Sequence, residues 1–251
     1  MRIDRPPLGA AAWQVAAAAA TATAALHIGP AGTWLPPVRR MLFPGLDGQG
    51  QPGHVALTFD DGPDRASTPR FLDALDDLDV RATFFLLGSA LAEAPETGRE
   101  LVARGHEVGL HGWDHRRPWW PVPVRELRDL RRAVRAVTDI CGHRPRWYRP
   151  PYGILTGGRW AAAHRLGLRT VLWSAWGRDW VAGASAETIV RTVEHRLEGG
   201  GTVLLHDSDR TSAPGSWRAT LQALPVLVRN CRRQGLTVGP LRDHGADDTV
   251  P

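Results

Sequence analysis

Short apolar runs alternate along this chain with longer stretches in which apolar positions recur every three or four residues. The run Val55–Phe59 (VALTF) reads as a buried strand, and Ser67–Leu78 as a helix. In that helix Ser67 is the N-cap and Phe71, Leu72, Leu75 and Leu78 form the apolar stripe. Ala82–Leu87 (ATFFLL) reads as a second buried strand, Pro95–Arg104 as a helix stopped by Gly105, and His106–Leu110 as a third strand. Val124–Ile140 has the clearest helical period: Val124, Leu127, Leu130, Val134, Val137 and Ile140 keep spacings of three and four, and Gly142 ends the run. Beyond it the pattern predicts strands at Trp147–Arg149, Thr170–Trp176, Thr202–Leu205 and Leu236–Val238. Helices are predicted at Ala161–Leu166, Ala186–Leu197 and Trp217–Arg233. Strands alternating with helices, returned by glycines, imply parallel strands joined by crossovers. About seven such units predict an α/β fold that is barrel-like rather than a small open sheet.

The ends depart from this alternation. Arg2 and Arg5 precede an alanine-rich apolar run from Gly9 to Ile28, so residues 1–28 read as a signal peptide or membrane anchor. Gln14 and His27 interrupt the run, and an Ala-rich helix packed on the domain is the competing reading. The Pro- and Gly-rich residues 29–53 read as a linker, residues 54–243 as one domain, and residues 244–251 as a frayed tail.

Composition narrows the function classes. A chain of 251 residues, 43% hydrophobic, supports one large core. The net charge of +5 rests wholly on arginine, since all 31 basic residues are Arg, and they are dispersed among acids. The densest cluster, Arg125 to Arg135, is interleaved with Glu126 and Asp129 as on a solvated helix face. This argues against a nucleic-acid partner. Two cysteines, Cys141 and Cys231, with no C-x-x-C, argue against a thiolate metal site; a disulfide and two free thiols both stay open. Eleven tryptophans against two tyrosines offer ring faces suited to sugars, although most tryptophans are core.

Parallel α/β folds carry their chemistry at the carboxyl ends of the strands. There stand Asp60 and Asp61, then His111 and His115, then Arg149 to Tyr152, then Asp179 and Trp180, then His206 and Asp207. Adjacent carboxylates where a buried strand stops repel one another and call for a cation. His111 and His115, four apart, share a face on a turn of helix, and with one aspartate they make a two-His, one-carboxylate set for zinc or a similar divalent ion. The other aspartate then serves as base toward a water activated by the metal, and His206 as acid toward the leaving group.

TFDDGP, HGWDH, RPPYG, RDW and LLHD occur here in the order and spacing of the five motifs of the polysaccharide deacetylases, the NodB-homology enzymes of carbohydrate esterase family four. The resemblance runs from about Val55 to Leu241. It implies a distorted (β/α) barrel with about seven parallel strands and metal-dependent removal of N-acetyl groups from N-acetylglucosamine-type polysaccharide, peptidoglycan or chitin-like. It implies Asp60 as base, Asp61, His111 and His115 as metal ligands, Arg149 as the residue orienting the base, and His206 as acid. Tyr152 is implied to give its backbone N–H to the oxyanion, and Leu204 to line the acetyl-methyl pocket. Asp179 is expected to tune His206 or brace Arg149, with Trp180, Pro151 and Trp113 at the substrate. The implied metal is Zn2+, or another divalent ion such as Co2+ or Ni2+. The implied partner is an acetylated glycan. The N-terminal segment points to a protein secreted or anchored at the cell envelope, with a cytoplasmic one as the alternative.

Two positions depart from the family pattern. Gly112 stands where Ser or Thr follows the first histidine, and Trp176 where the fourth motif has its first Asp. The second departure predicts a weaker acid at His206 and a shifted pH optimum. Trp113, Trp119 and Trp120 form either a stacking wall or a cap on the barrel rim. A carbohydrate-binding pseudoenzyme, a deacylase of another acyl or O-acetyl glycan, and a two-His-one-carboxylate iron oxygenase remain as competing readings.

Overall fold

In a computed structural model, which describes residues 10–245, all seven residues of β1 (His54–Asp60) are buried, as a strand covered on both faces must be. It stands at the middle of one parallel sheet with β2 (Thr83–Leu86), β3 (Glu107–Leu110), β4 (Trp147–Tyr148), β5 (Arg169–Thr170), β6 (Ala175–Trp176), β7 (Thr202–His206) and β8 (Thr237–Gly239). Seven strands follow the path β5-β4-β3-β2-β1-β7-β6. The eighth, β8, pairs with His54–Ala56 of β1 on the side that β2 takes further along. The result is the expected α/β distorted barrel, a curled sheet with helices outside it.

Alternation on β1 sorts its side chains. Val55, Leu57 and Phe59 face the helices, where they join Phe71, Leu72 and Leu75 of the helix Thr68–Asp77 and Leu224, Leu227 and Val228 of the helix Trp217–Arg233 in the main core. Each such side chain contributes roughly 1.5–3 kcal/mol by leaving water. Ala56 faces the barrel interior with Phe85, Trp147, Val171 and Leu241, a second and smaller cluster. Thr58 and Asp60 share that inward face, and for this reason a carboxylate stands at the top of an apolar barrel.

The run 170–176, read as one strand, divides in two. β5 pairs with β4 at one edge of the sheet, and β6 pairs with β7 at the other. Residues 171–174 cross the gap between those edges: Val171 still donates to Tyr148 O of β4 and Ser174 to Thr202 O of β7, while the two residues between them find partners outside any strand. Leu172 donates its N–H to Leu46 O at 2.7 Å. Leu172 O accepts from Arg149, and Trp173 O from Arg39, at 2.8 and 2.9 Å.

Both Leu46 and Arg39 belong to the stretch 29–53 that reads as a linker. It holds a 3-10 turn at Gly29–Trp34, a helix at Pro36–Leu42, and a second turn at Pro44–Asp47. Arg39 and Asp47 form an ion pair there with both side chains almost fully buried. Ahead of it, a helix at Ala10–Ile28 stands clear of the body: residues 13–26 are exposed, and His27 is its one buried residue among those described. A helix at Gly88–Glu93, which the periodicity does not show, follows β2 directly, and Pro95–Ala103 follows it. The helix predicted over Val124–Ile140 spans Pro123–Cys141. Cys141 and Cys231 lie on different helices, both buried and both free, so no disulfide joins them.

Candidate active site

Asp60 ends β1 on its inward face and is 2% exposed. A carboxylate held there needs a partner, and Arg149, just past β4 and wholly buried, supplies it. Its Nη1 donates to Asp60 Oδ1 at 2.7 Å and to Thr58 Oγ1 at 2.8 Å. Thr58 accepts because its own proton goes to Val203 O at 2.6 Å. The guanidinium lies 4.0 Å over the Phe85 ring. Burial lowers the pKa of Arg149, and the charge of Asp60 opposes that fall. The pair aims one oxygen of Asp60 at arginine and leaves the other toward the rim.

Asp61 takes φ 75°, a left-handed conformation that costs a non-glycine residue of the order of 1–3 kcal/mol. The turn brings its carboxylate to the histidines. Asp61 Oδ1 lies 3.4 Å from His111 Nε2 and 3.5 Å from His115 Nε2, and it has no hydrogen-bond partner although fully buried. His111 Nδ1 sits 2.8 Å from Arg149 O, so its proton is there and the lone pair of Nε2 faces Asp61. His115 is pushed down to about 3, first by burial and then by His111, so it presents a neutral imidazole. Asp61 is held below its ordinary value: burial raises it, but His206, His111, His115 and the Thr211 hydroxyl outweigh that. Two imidazole nitrogens thus converge on a buried carboxylate oxygen that has no hydrogen-bond partner, and a cation resolves the arrangement. Ligand bonds of about 2.1 Å in a tetrahedron set neighbouring donors about 3.4 Å apart. Asp61, His111 and His115 therefore fit a divalent metal, and its identity is not fixed by them.

The histidine loop is built around Gly112, whose φ of 106° favours glycine over the Ser or Thr of the family pattern. Its carbonyl and that of Trp113 accept from the N–H groups of Gly88 and Ser89, so the helix beginning at Gly88 pins the loop.

Opposite, His206 ends β7. Its Nδ1 lies 2.9 Å from Asp179 Oδ1, its backbone N–H donates to Asp179 Oδ2 at 2.7 Å, and Thr220 Oγ1 donates to the same oxygen at 2.8 Å. Burial lowers the pKa of His206, but Asp179, with Asp61 and Asp60 behind it, raises it to about 10. Asp179 makes this contact itself, without the first Asp of the family motif. Trp176 instead packs 5.5 Å from Trp180 and 6.0 Å from Trp173. Asp207 is buried behind the site, accepts from Thr68, and is pushed up to about 7, chiefly by burial.

A cleft of about 690 Å³ opens over these groups. Leu204 and Trp180 line it as expected, and Tyr152, at φ 61°, places its ring 4.2 Å from that of His115. Trp113 does not line it. Its ring packs on the core with the Arg132 guanidinium 3.6 Å above it. Pro151 is likewise buried behind the histidine loop, away from the cleft. Trp173, Trp176, Trp119 and Thr211 contribute to the wall, and so do Ala31 and Trp34 from the N-terminal stretch. Nothing in the local pattern around Trp34 marks it for this place. Nor does the pattern single out Thr58 and Thr68, which hold Arg149 and Asp207, though Thr58 stands two residues before Asp60.

Residues 47–171 match the family model for polysaccharide deacetylases. A chitooligosaccharide deacetylase of Bradyrhizobium is 38% identical over 74% of this chain and 88% of its own length. A peptidoglycan-N-acetylglucosamine deacetylase of Listeria monocytogenes is 35% identical over 63% of this chain, but over only 33% of its own. Among solved structures, a family 4 carbohydrate esterase from Streptomyces lividans, bound to acetate, superposes with a TM-score of 0.67 at 33% identity, covering 74% of this chain and 92% of that one. A pseudoenzyme of the same family from Bacillus anthracis superposes at 0.70 with 25% identity, covering 78% and 67%. With the motif residues gathered on one rim and a relative matched over 88% of its length, the chain belongs to the polysaccharide deacetylase family.

Proposed function

We propose that this protein hydrolyses the N-acetyl group of N-acetylglucosamine units in a glycan, peptidoglycan or chitin-like, at the cell envelope. The observation that carries the reading is the pairing of Asp60–Arg149 on one side of the Asp61, His111 and His115 set with His206–Asp179 on the other. Binding alone requires neither pair. Bound at Asp61, His111 and His115, a divalent ion would supply Lewis acidity toward the acetyl carbonyl and the attacking water.

The chain's own groups do the rest. Asp60, oriented by Arg149, takes a proton from the water as its oxygen attacks the acetyl carbon. The tetrahedral oxyanion meets the backbone N–H of Tyr152, placed by the strained turn at that residue. As the carbon–nitrogen bond breaks, His206 Nε2 gives its proton to the departing amine, and acetate and a free amino sugar result. Asp179 holds the imidazole with Nε2 toward the cleft, 3.9 Å from Asp61 Oδ2. Leu204, 3% exposed, faces the acetyl methyl, and Trp180 flanks the acid edge-on at 5.5 Å.

The test is acetate release from N-acetylglucosamine oligomers and peptidoglycan fragments, with protein stripped of metal and reloaded with Zn2+, Co2+ or Ni2+. Release that depends on the ion and falls at least a thousandfold in Asp60→Asn is expected. No release from any glycan, with one ion per chain shown by calorimetry, would overturn it in favour of a binding role; release from O-acetyl substrates alone would shift it to an esterase.

A further inference from the structure

The exposed helix Ala10–Ile28 and the catalytic cleft meet at one point. The apolar window Ala12–Trp34, of mean hydropathy 1.2, is long enough to cross a bilayer, and 6% of it is buried against the body. Its last residue, Trp34, lines the cleft, as does Ala31. Among the described residues, the helix packs on the body at its final turn. His27 Nε2 lies 3.1 Å from Pro118 O, and the Leu26 carbonyl lies where a Cβ on Gly157 would stand. Gly157 opens the helix Gly157–Arg165, and in a parallel α/β fold helices open at the catalytic end of the strands.

The surface around this exit has the composition of a membrane interface. Directly after Pro118 come Trp119 and Trp120, 67% and 78% exposed. Trp160 is also exposed, one turn into the helix that the exit abuts, and Leu35 follows Trp34. Single exposed tryptophans need no explanation. A group of them set around the end of an unburied apolar helix is what the headgroup region selects. Nineteen helical residues span about 28 Å, close to the hydrocarbon thickness of a bilayer. With that helix across the membrane, Trp34 and Trp119 lie at headgroup depth, and the cleft they line cannot be far above it.

We infer that the cleft opens onto the bilayer surface and takes a glycan held there by a lipid, rather than polymer at a distance. This rests on the deacetylase reading for the chemistry, while the placement stands on geometry alone.

The experiment uses the full chain in vesicles of phosphatidylethanolamine and phosphatidylglycerol that contain brominated acyl chains. An environment-sensitive fluorophore is attached at Trp120→Cys or, at the opposite end of the barrel, at Arg233→Cys. Cys141 and Cys231 do not compete, being buried with thiols pushed up to about 11 by that burial. Quenching of at least half is expected at 120 and of less than a tenth at 233; equal quenching at both would overturn the placement. In the same vesicles, unlabelled protein receives an N-acetylglucosamine tetramer, either free or tethered to a diacyl lipid, at equal bulk concentration. The tethered form is expected to be deacetylated at least tenfold faster, and equal rates would overturn the lipid-held substrate. If neither is turned over while 120 is quenched, the placement is upheld and the deacetylase reading falls.

Discussion

Asp179→Asn isolates the acid from the rest of the site. Asp179 is buried, holds His206 through both the ring Nδ1 and the backbone N–H, and is itself braced by Thr220. Its charge is the first influence that raises His206 against the downward push of burial, to about 10. The rise over the ordinary 6.5 is about 3.5 pH units, or roughly 5 kcal/mol in favour of the imidazolium. Asparagine keeps the shape and removes the charge that raises His206 first, so its pKa falls back toward the ordinary 6.5, with Asp61 and Asp60 still opposing the fall. At pH 8 a full return takes the protonated fraction from about 99% to about 3%, a loss of up to roughly thirtyfold in a step that needs that proton. The sign matters for the assay: a raised pKa keeps the acid loaded at high pH, so the variant loses its alkaline side and recovers as pH falls toward 6. The measurement is kcat for acetate release between pH 5.5 and 9, wild type against variant, with saturating metal. A variant profile parallel to that of wild type at every pH would refute the reasoning and reduce Asp179 to a structural brace.

Arg149→Met leaves Asp60 buried without its partner. We expect a loss of about 3–5 kcal/mol in urea denaturation together with loss of turnover, and a stability change below about 1 kcal/mol would contradict the buried-pair argument. Asp207 is raised to about 7, so the folded chain keeps a proton that the unfolded chain releases near 3.8. The wild type accordingly loses stability as pH rises from about 4 to about 7, and Asp207→Asn, still able to accept from Thr68, should gain on it by up to roughly 4 kcal/mol over that window. Denaturation midpoints of both proteins at pH 4, 6 and 8 check this, and a constant difference would refute it. Removal of the metal-site histidine in His111→Ala should abolish the rise in melting temperature that added Zn2+ gives the wild type, as read by thermal unfolding.

The strands that carry the site were legible because each ends a continuous apolar run. Asp60, His111 and His206 stand where such runs stop, and parallel topology puts those stops on one rim. The run 170–176 has the same texture, yet its two ends pair with opposite edges of the sheet. Local pattern reports burial, not which neighbour provides it. Trp113 and Trp119 illustrate the same limit. They look alike in sequence, but the turn at Gly112 and the hold of Gly88 and Ser89 send one inward and leave the other at the cleft. Trp176 stands where the family pattern has an Asp, while Asp179 reaches His206 across 27 residues of chain, a contact that local pattern does not show. The stretch 29–53 reads as a linker because proline and glycine dominate it, while the contacts that fold it, Arg39 to Trp173 and Leu46 to Leu172, span more than a hundred residues.

Those contacts make the barrel's seam a shared part. Between β5 and β6 the wall is a single crossing strand of chain, riveted from outside by Arg39 and Leu46 and from inside by Arg149, the residue that holds the base. A deletion that trims the N-terminus as far as residue 53, the usual route to a more soluble protein, would pull the outer rivets. It would leave the N–H of Leu172 and the carbonyl of Trp173 without partners, beside the carbonyl on which Arg149 braces. In this molecule, trimming the segment before β1 and loosening the hold on Asp60 are one and the same operation.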